Sequence, residues 1–477
     1  MKTFIRFVSK ICPIIFNIFF FPVVAHAQWS APVNISPNAV SAGLNESMGT
    51  CIGVSGDTLH VIWSDKFSTK KAVIYYTRSI DSGLTWSNAI PISDINKNAL
   101  NPAIAVNGPN VHAVWRYIDT LTNKRSSHYI HSIDGGNTWG TELLLDTAIA
   151  DWPAVAVSGN IVYVANDYVT AASPYNTEIF FLRSIDNGNT WSPHQQISFA
   201  VNRSEDEAIT AQGSHVHMSW NDKRTGKFQI FYKESADYGV TWGPDIVVDT
   251  AYDYSTMVSV DGQHIDVIAA GHPVSHHYQL LLAQSSDTGS TWANTIDLTN
   301  DTTHTYFYPD MVRSGSDLHI VCGSSIGAKY LHSADGGATW DAPYTFTGSS
   351  TFVAYTGCIV HIIYVDATHH INYLRNPTGN SGHCAIITGT AENSLQETIS
   401  VYPNPFTNQT TIKFFSNENI ENASLKIFDL LGNEIKNISG ITNNEIKIER
   451  GNLTPGIYFY QLKDNINSIS IGKLIVQ

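Results

Sequence analysis

The chain has 477 residues, of which 43% are hydrophobic and 14% charged, with 27 basic against 41 acidic side chains and a net charge of −14. That length allows more than one domain. The acidic balance argues against nucleic acid and anionic membrane as partners, since both favour basic faces.

Residues 1–27 read as an export signal. Lys2, Arg6 and Lys10 form a basic start, an apolar run follows to Ala25, and Ala25-His26-Ala27 is a small-x-small cleavage site. The apolar run is short for a membrane span and is followed by that cleavage site, so no transmembrane segment is expected in the mature chain. The mature cysteines are Cys51, Cys322, Cys358 and Cys384. Export permits disulfides, but four cysteines allow several pairings. Cys358 with Cys384 is one pairing, and buried thiols are the other reading.

From residue 28 to residue 376 one unit recurs. Its signature is Ser-x-Asp-x-Gly-x-Thr-Trp, met at Asp81, Asp134, Asp186, Asp237, Asp287 and Asp335, which lie 48 to 53 positions apart. A period that regular means stacked or radially arranged copies of one supersecondary unit. Before each signature come short β-branched and aromatic runs, such as Leu59-His60-Val61-Ile62-Trp63 and Val73-Ile74-Tyr75-Tyr76; after it comes another, such as Ala89-Ile90-Pro91-Ile92. These read as four antiparallel strands, A to D, with the signature between C and D. Its Gly supplies positive φ, its Asp and Ser/Thr side chains close the turn on backbone N–H groups, and its Trp fills the gap between sheets. The six carboxylates are therefore expected to be structural, with a calcium or ligand site as the competing reading.

A seventh copy lacks its turn. Val360–Asp366 repeats strand B and His370–Arg375 repeats strand C, while the missing strand D appears at the other end as Trp29-Ser30-Ala31-Pro32. The expected fold is all-β: a seven-bladed β-propeller whose N-terminal strand completes the last blade, a closure that removes free sheet edges. Residues 377–394, rich in Gly, Thr, Ser and Asn, read as a linker. Residues 395–477 alternate apolar runs with frequent turns and are expected to form a small β-sandwich.

In such a propeller the B–C and D–A loops gather around one mouth of the channel, where a ligand site is expected. Trp63, Trp115, Arg116, Trp152, Trp220 and Asp222 are the candidate ligand contacts, because aromatic rings stack on sugar C–H faces while acids accept hydroxyl hydrogen bonds. The competing reading packs Trp63, Trp115 and Trp220 within their sheets and leaves the acids solvated. The run Arg203-Ser204-Glu205-Asp206-Glu207 is the densest cluster, and paired carboxylates can act as acid and base in glycoside cleavage. Histidine pairs such as His215/His217 and His276/His277 have no third ligand at a telling spacing, so neither metal nor cofactor is expected.

Two resemblances add to this. The repeat resembles the Asp-box, or bacterial neuraminidase repeat, of the sialidase superfamily; all six copies match, over roughly Trp29 to Arg375. In that family three arginines hold the substrate carboxylate, the first in a Phe/Tyr-Arg-Ile-Pro motif ahead of the first box. The corresponding stretch here, Asn45–Ile52, has no Arg, and Arg-Ile-Pro occurs nowhere. Arg116, Arg203 and Arg224 lie in expected loops without that pattern, and seven blades depart from the usual six. Tyr308 and Glu205, with Asp206 and Arg203, are the residues of the right type for catalysis. The tail resembles the type A sorting domain of type IX secretion through Tyr402-Pro-Asn-Pro-Phe406, Phe428-Asp-Leu-Leu-Gly-Asn-Glu434, Gly456-Ile-Tyr-Phe-Tyr460 and Gly472-Lys-Leu-Ile-Val476. It implies the type IX machinery as partner and a secreted or cell-surface destination. The combined expectation is an exported propeller that binds a glycan or a surface protein through its loop face; the alternative is a glycoside hydrolase, exo-sialidase-like or other, using loop carboxylates.

Overall fold

The computed structural model describes residues 29–44, 49–67, 71–119, 121–146, 150–172, 175–250, 252–272, 277–379, 400–413, 423–429, 434–441, 445–451, 453–463 and 468–477. The export signal, Cys384 and most of the linker lie outside them. Two compact units divide the chain, residues 1–386 and 387–477. Every regular element among the described residues is a strand.

The first unit holds seven sheets among its described residues, and every pairing in them is antiparallel. Sheet 4 shows the plan: Ser204–Gln212 (A), His215–Asp222 (B), Gln229–Ser235 (C) and Ile246–Asp249 (D) lie in that order. The other A strands are Ile52–Ser55, Ala99–Asn107, Ala150–Ser158, Tyr252–Asp261, Tyr306–Ser314 and Ser349–Thr356, in sheets 1, 2, 3, 5, 6 and 7. In sheet 7 the fourth strand comes from the N-terminal segment: Val33 lies opposite Tyr373, and the Ser30 and Ile35 amides donate to the Arg375 and Ile371 carbonyls. One cavity of about 320 Å³ is lined by residues of all seven first-strand segments, from Gly49–Val54 round to Val353–Tyr355.

The apolar core is divided into layers between neighbouring sheets. Phe181 and Ile179 of sheet 3 pack with Met218 and Trp220 of sheet 4, and Leu59 and Val61 of sheet 1 pack with Ile363 and Tyr373 of sheet 7. The signature turn builds much of this cement. Within each turn Ser Oγ donates to the Asp carboxylate, and the Asp accepts from the Thr amide and hydroxyl; in the first copy these are Ser79 at 2.7 Å and Thr85 at 2.8 and 2.5 Å. The Gly amide closes on the same Ser at 2.8 Å. Gly188 at φ +89° leaves no room for a Cβ, which would sit 1.7 Å from Tyr129 Oη of the preceding sheet. The turn Trp meets that same tyrosine edge-on: Trp191 on Tyr129 and Trp86 on Tyr373, each at 4.9 Å between centroids. Such pairs contribute about 0.5–1.5 kcal/mol each beyond area burial. Trp29 repeats the contact on Tyr330 at 4.9 Å, in the place a seventh turn Trp would take.

Cys51 and Cys322 are buried thiols, whereas Cys358 is disulfide-bonded. The second unit has two antiparallel sheets. One joins Ser400–Tyr402, Gln409–Lys413 and Glu445–Glu449; the other joins Glu434–Ile441, Ala423–Phe428, Gly456–Lys463 and Ser468–Val476. A single apolar cluster draws Ile412 and Ile448 from the first and Leu425, Tyr460 and Leu474 from the second.

Candidate functional site

Because the sheets are antiparallel, their A–B and C–D turns fall at one end and their B–C and D–A connections at the other, here called the loop end. Near the loop end most A strands break register with strand B. The breaks lie between Leu100 and Ala103, Asp151 and Ala154, Glu205 and Ala208, Tyr254 and Thr256, Phe307 and Asp310, and Ser349 and Phe352. Each bulge holds one residue in the left-handed region: Asn101, Trp152, Asp206, Ser255, Tyr308 and Ser350, with φ between 46° and 61°. Gly49, at φ +66°, stands at the corresponding place ahead of Ile52–Ser55. Bulges re-aim side chains and are over-represented beside active sites, and left-handed backbone at non-glycine residues costs about 1–3 kcal/mol each. Three of the sequence-selected residues, Trp152, Asp206 and Tyr308, occupy this one repeated position.

Around Asp206 the structure gathers acids. Glu205 is pushed up to about 7 by burial and then by Asp206, and Asp206 is pushed up to about 6 by burial. Asp206 accepts from Asn221 Nδ2 at 3.0 Å, and Arg203 pairs with Glu205. Asp167 of sheet 3 and Glu207 of sheet 4 are buried, and burial raises both far above the usual carboxylate range, followed by repulsion from Asp206 and Glu205 at Asp167 and from Asp167 at Glu207. Neither oxygen of Glu207, nor Oδ1 of Asp167, has a hydrogen-bond partner among the described residues. Asp310, further round, is raised to about 7 by burial although it accepts from the Val353 amide at 2.8 Å.

Beside sheet 3 the chemistry is cationic and aromatic. Arg116 and Arg125 both pair with Asp151, and the Arg116 guanidinium lies 4.6 Å from the centre of the half-buried Trp152 ring. Arg125 also lines a cavity of about 480 Å³ at the loop end of sheets 1 and 2, together with Lys71, Lys97, Lys124, Tyr117 and His128.

The structure separates the sequence candidates into two groups. Arg116, Trp152, Arg203, Glu205, Asp206 and Tyr308 lie at or next to the bulges. Trp63, Trp115 and Trp220 are at most 2% exposed and belong to three apolar layers. Their rings pack between neighbouring sheets, and Trp63 also lines a cavity of about 580 Å³ with Asp65, Tyr75 and Trp86. Asp222 is also internal; it accepts from Trp220 Nε1 at 3.1 Å and Ser204 Oγ at 3.1 Å and pairs with Arg224. The loop-end acids are buried: Asp151, Asp167, Glu205, Asp206, Asp222 and Asp310 are each less than 10% exposed. They belong to strands that run on past the expected ends, so neighbouring sheets cover them. The bulges themselves were not anticipated from the sequence. Their signal was Pro102, Pro153 and Pro309, each just after a left-handed residue, because proline inside a strand marks a bulge.

The BNR repeat-like domain family matches residues 20–320. This chain belongs to that family. A secretion system C-terminal sorting domain matches residues 400–477 and marks the chain for type IX secretion, to the cell surface or beyond it. No curated protein matches the chain. Among solved structures it is similar to the GH93 α-L-arabinofuranosidase of Fusarium graminearum in complex with arabinobiose, at 15% identity over 58% of this chain and 92% of that one, with a TM-score of 0.41. It is also similar to Trypanosoma rangeli sialidase in complex with sialic acid, at 11% identity over 91% and 83%, TM-score 0.41. A Dyadobacter fermentans protein of unknown function matches at 13% identity over 59% and 96%, TM-score 0.45.

Proposed function

We propose that this BNR-repeat protein is exported through an N-terminal signal and its sorting tail, and binds a glycan through the loop end of a seven-bladed propeller. In this reading the seven sheets are the blades, residues 28–376 form the propeller, residues 377–394 the linker, and the two tail sheets a small sandwich. The observation that carries the binding site is the convergence at sheets 2 and 3. A half-buried Trp152 on left-handed backbone, with Arg116 across its ring, is joined through Asp151 and Arg125 to a lysine-rich cavity of about 480 Å³. An aromatic face beside fixed cations and acids suits a sugar ring with its hydroxyl or carboxyl groups. A glycan array probed with the exported protein tests this. Trp152→Ala is expected to weaken binding of the bound glycan by at least about tenfold, as loss of an aromatic anchor does. Trp220→Phe, within the packed layer, leaves binding unchanged. Equal binding by wild type and Trp152→Ala overturns the assignment.

A second reading, a glycoside hydrolase, is favoured by one observation: Glu205 and Asp206 are poised at about 7 and 6, where a carboxyl can give and take a proton near neutrality. Sugar release from a glycan panel, abolished in Glu205→Gln, supports it. Absence of release from every glycan that binds removes it.

A further inference from the structure

At the turn end of sheet 4, away from the bulges, His215, His217 and Glu234 place one ligand atom each within 4.8 Å of one another. We propose that these three side chains bind a zinc-class divalent cation, with water completing a tetrahedral shell.

The placement follows from strand geometry. His215 and His217 are two apart on strand B and so share a face, and Glu234 on strand C lies directly opposite His217. His215 Nδ1 is 2.5 Å from Glu234 Oε1, and the two imidazoles stand parallel with centroids 6.1 Å apart. His217 Nδ1 is held by Tyr232 Oη at 2.7 Å, which fixes the ring and leaves Nε2 as its ligand atom. A metal-binding imidazole is usually steadied through its other nitrogen in this way. His215 and Glu234 are 42% and 23% exposed in their side chains, which gives a cation access from solvent.

The sister sheets supply the contrast. The same buried His–Tyr pair recurs at His60, His112, His319 and His361, but the cross-strand neighbours there are Arg78, His131, His332 and Arg375. Sheet 4 alone among these five sets a carboxylate opposite the histidine and a second histidine two residues before it. Two imidazoles and one carboxylate are a borderline-soft donor set that suits zinc over calcium or magnesium.

The test uses the full chain, prepared without a histidine tag and freed of metal by chelator. Titration with ZnCl₂ by calorimetry is expected to give one equivalent per chain. Co²⁺ in its place is expected to give the visible absorption of a tetrahedral centre. His215→Ala and Glu234→Gln, both partly exposed, are expected to lose that equivalent while unfolding at the wild-type temperature in the absence of metal. Tyr232→Phe is expected to bind about 10–100-fold more weakly; Phe181 already stands at the matching position of sheet 3, its ring parallel to that of Tyr163 at 6.1 Å, so the fold accepts the ring. An equivalent retained in the double variant His215→Ala/Glu234→Gln, or no equivalent in the wild type, overturns the proposal.

Discussion

At the turn end of the sheets Asp81, Asp134, Asp186, Asp237 and Asp335 sit near the surface with their carboxyls pulled down to about 2 by hydrogen bonds from Thr and Ser. At the loop end Glu205, Asp206 and Asp310 are buried and pushed up to between about 6 and about 7, and Asp167 and Glu207 are raised as well. One chain thus uses the same functional group in two opposed ways. At the turns every carboxylate oxygen has donors, so its charge is spent on holding shape. Between sheets 3 and 4 three carboxylate oxygens have none among the described residues, and each such buried group costs stability. The two uses are divided along the strand axis, and the comparison can be broken at either end.

The largest effect is expected at the turns. Gly188→Ala would drive a Cβ to 1.7 Å from Tyr129 Oη on backbone at φ +89°. Neither the fully buried tyrosine nor the turn can yield, and a loss of about 3–5 kcal/mol is expected. Gly213→Ala is the control. It has left-handed φ too, at +60°, but nothing within 4 Å of the new methyl, so only the backbone cost of about 1–2 kcal/mol remains. Urea unfolding of both variants measures the difference. Equal losses would mean that the close approach between sheets contributes nothing.

At the loop end the sign reverses. Glu207→Gln removes a buried carboxyl with no hydrogen-bond partner among the described residues, and the variant is expected to be more stable than the wild type by about 1–3 kcal/mol at pH 8. The pH dependence follows from the raised value. Below about pH 4 the carboxyl is protonated in both folded and unfolded chains, so the gain is small. As pH rises the unfolded chain gives up its proton while the folded one keeps it, so wild-type stability falls until the folded group ionises. Thermal unfolding from pH 4 to pH 8 should show the two proteins diverging steadily. Parallel curves would show that Glu207 has a partner in solution and would remove the contrast with the turns.

What was legible in the sequence follows the same division. The turns were readable because their chemistry is local: Ser79, Asp81, Gly83 and Thr85 satisfy one another within seven residues. The pairing of the N-terminal segment with Ile371–Asn376 was readable because Trp29-Ser-Ala-Pro resembles Trp86-Ser-Asn and Trp191-Ser-Pro, which open the strand after two of the turns. The loop end was legible only in its residue types. Glu205 and Asp206 stood out as a dense run, but their burial comes from the neighbouring sheets, and no local pattern encodes it. For the same reason the burial of Trp63, Trp115 and Trp220, at strand positions facing a neighbouring sheet, is not encoded by any local pattern. Glu234 was missed as a partner for His215 and His217 because it is 17 residues beyond His217 in sequence and directly opposite it in space.

The smallest effect returns to the turns and asks whether their charge matters at all. Asp134 accepts from the Thr138 amide at 2.8 Å through Oδ1 and from the Thr138 hydroxyl at 2.7 Å through Oδ2. Asparagine offers one acceptor oxygen where the carboxylate offers two, and it carries no charge, so Asp134→Asn is expected to be less stable than the wild type at pH 7. A carboxyl lowered from 3.8 to about 2 contributes stability that is present above pH 4 and is lost as pH falls toward 2. The variant should therefore lose less than the wild type over that acid window, and the two should converge near pH 2. Five sister turns keep their carboxylates, which limits the change to one part of the acid response. Coincident wild-type and variant curves from pH 7 to pH 2 would make the turn carboxylate a spectator, and the shape of the turn would then rest on its glycine and serine alone.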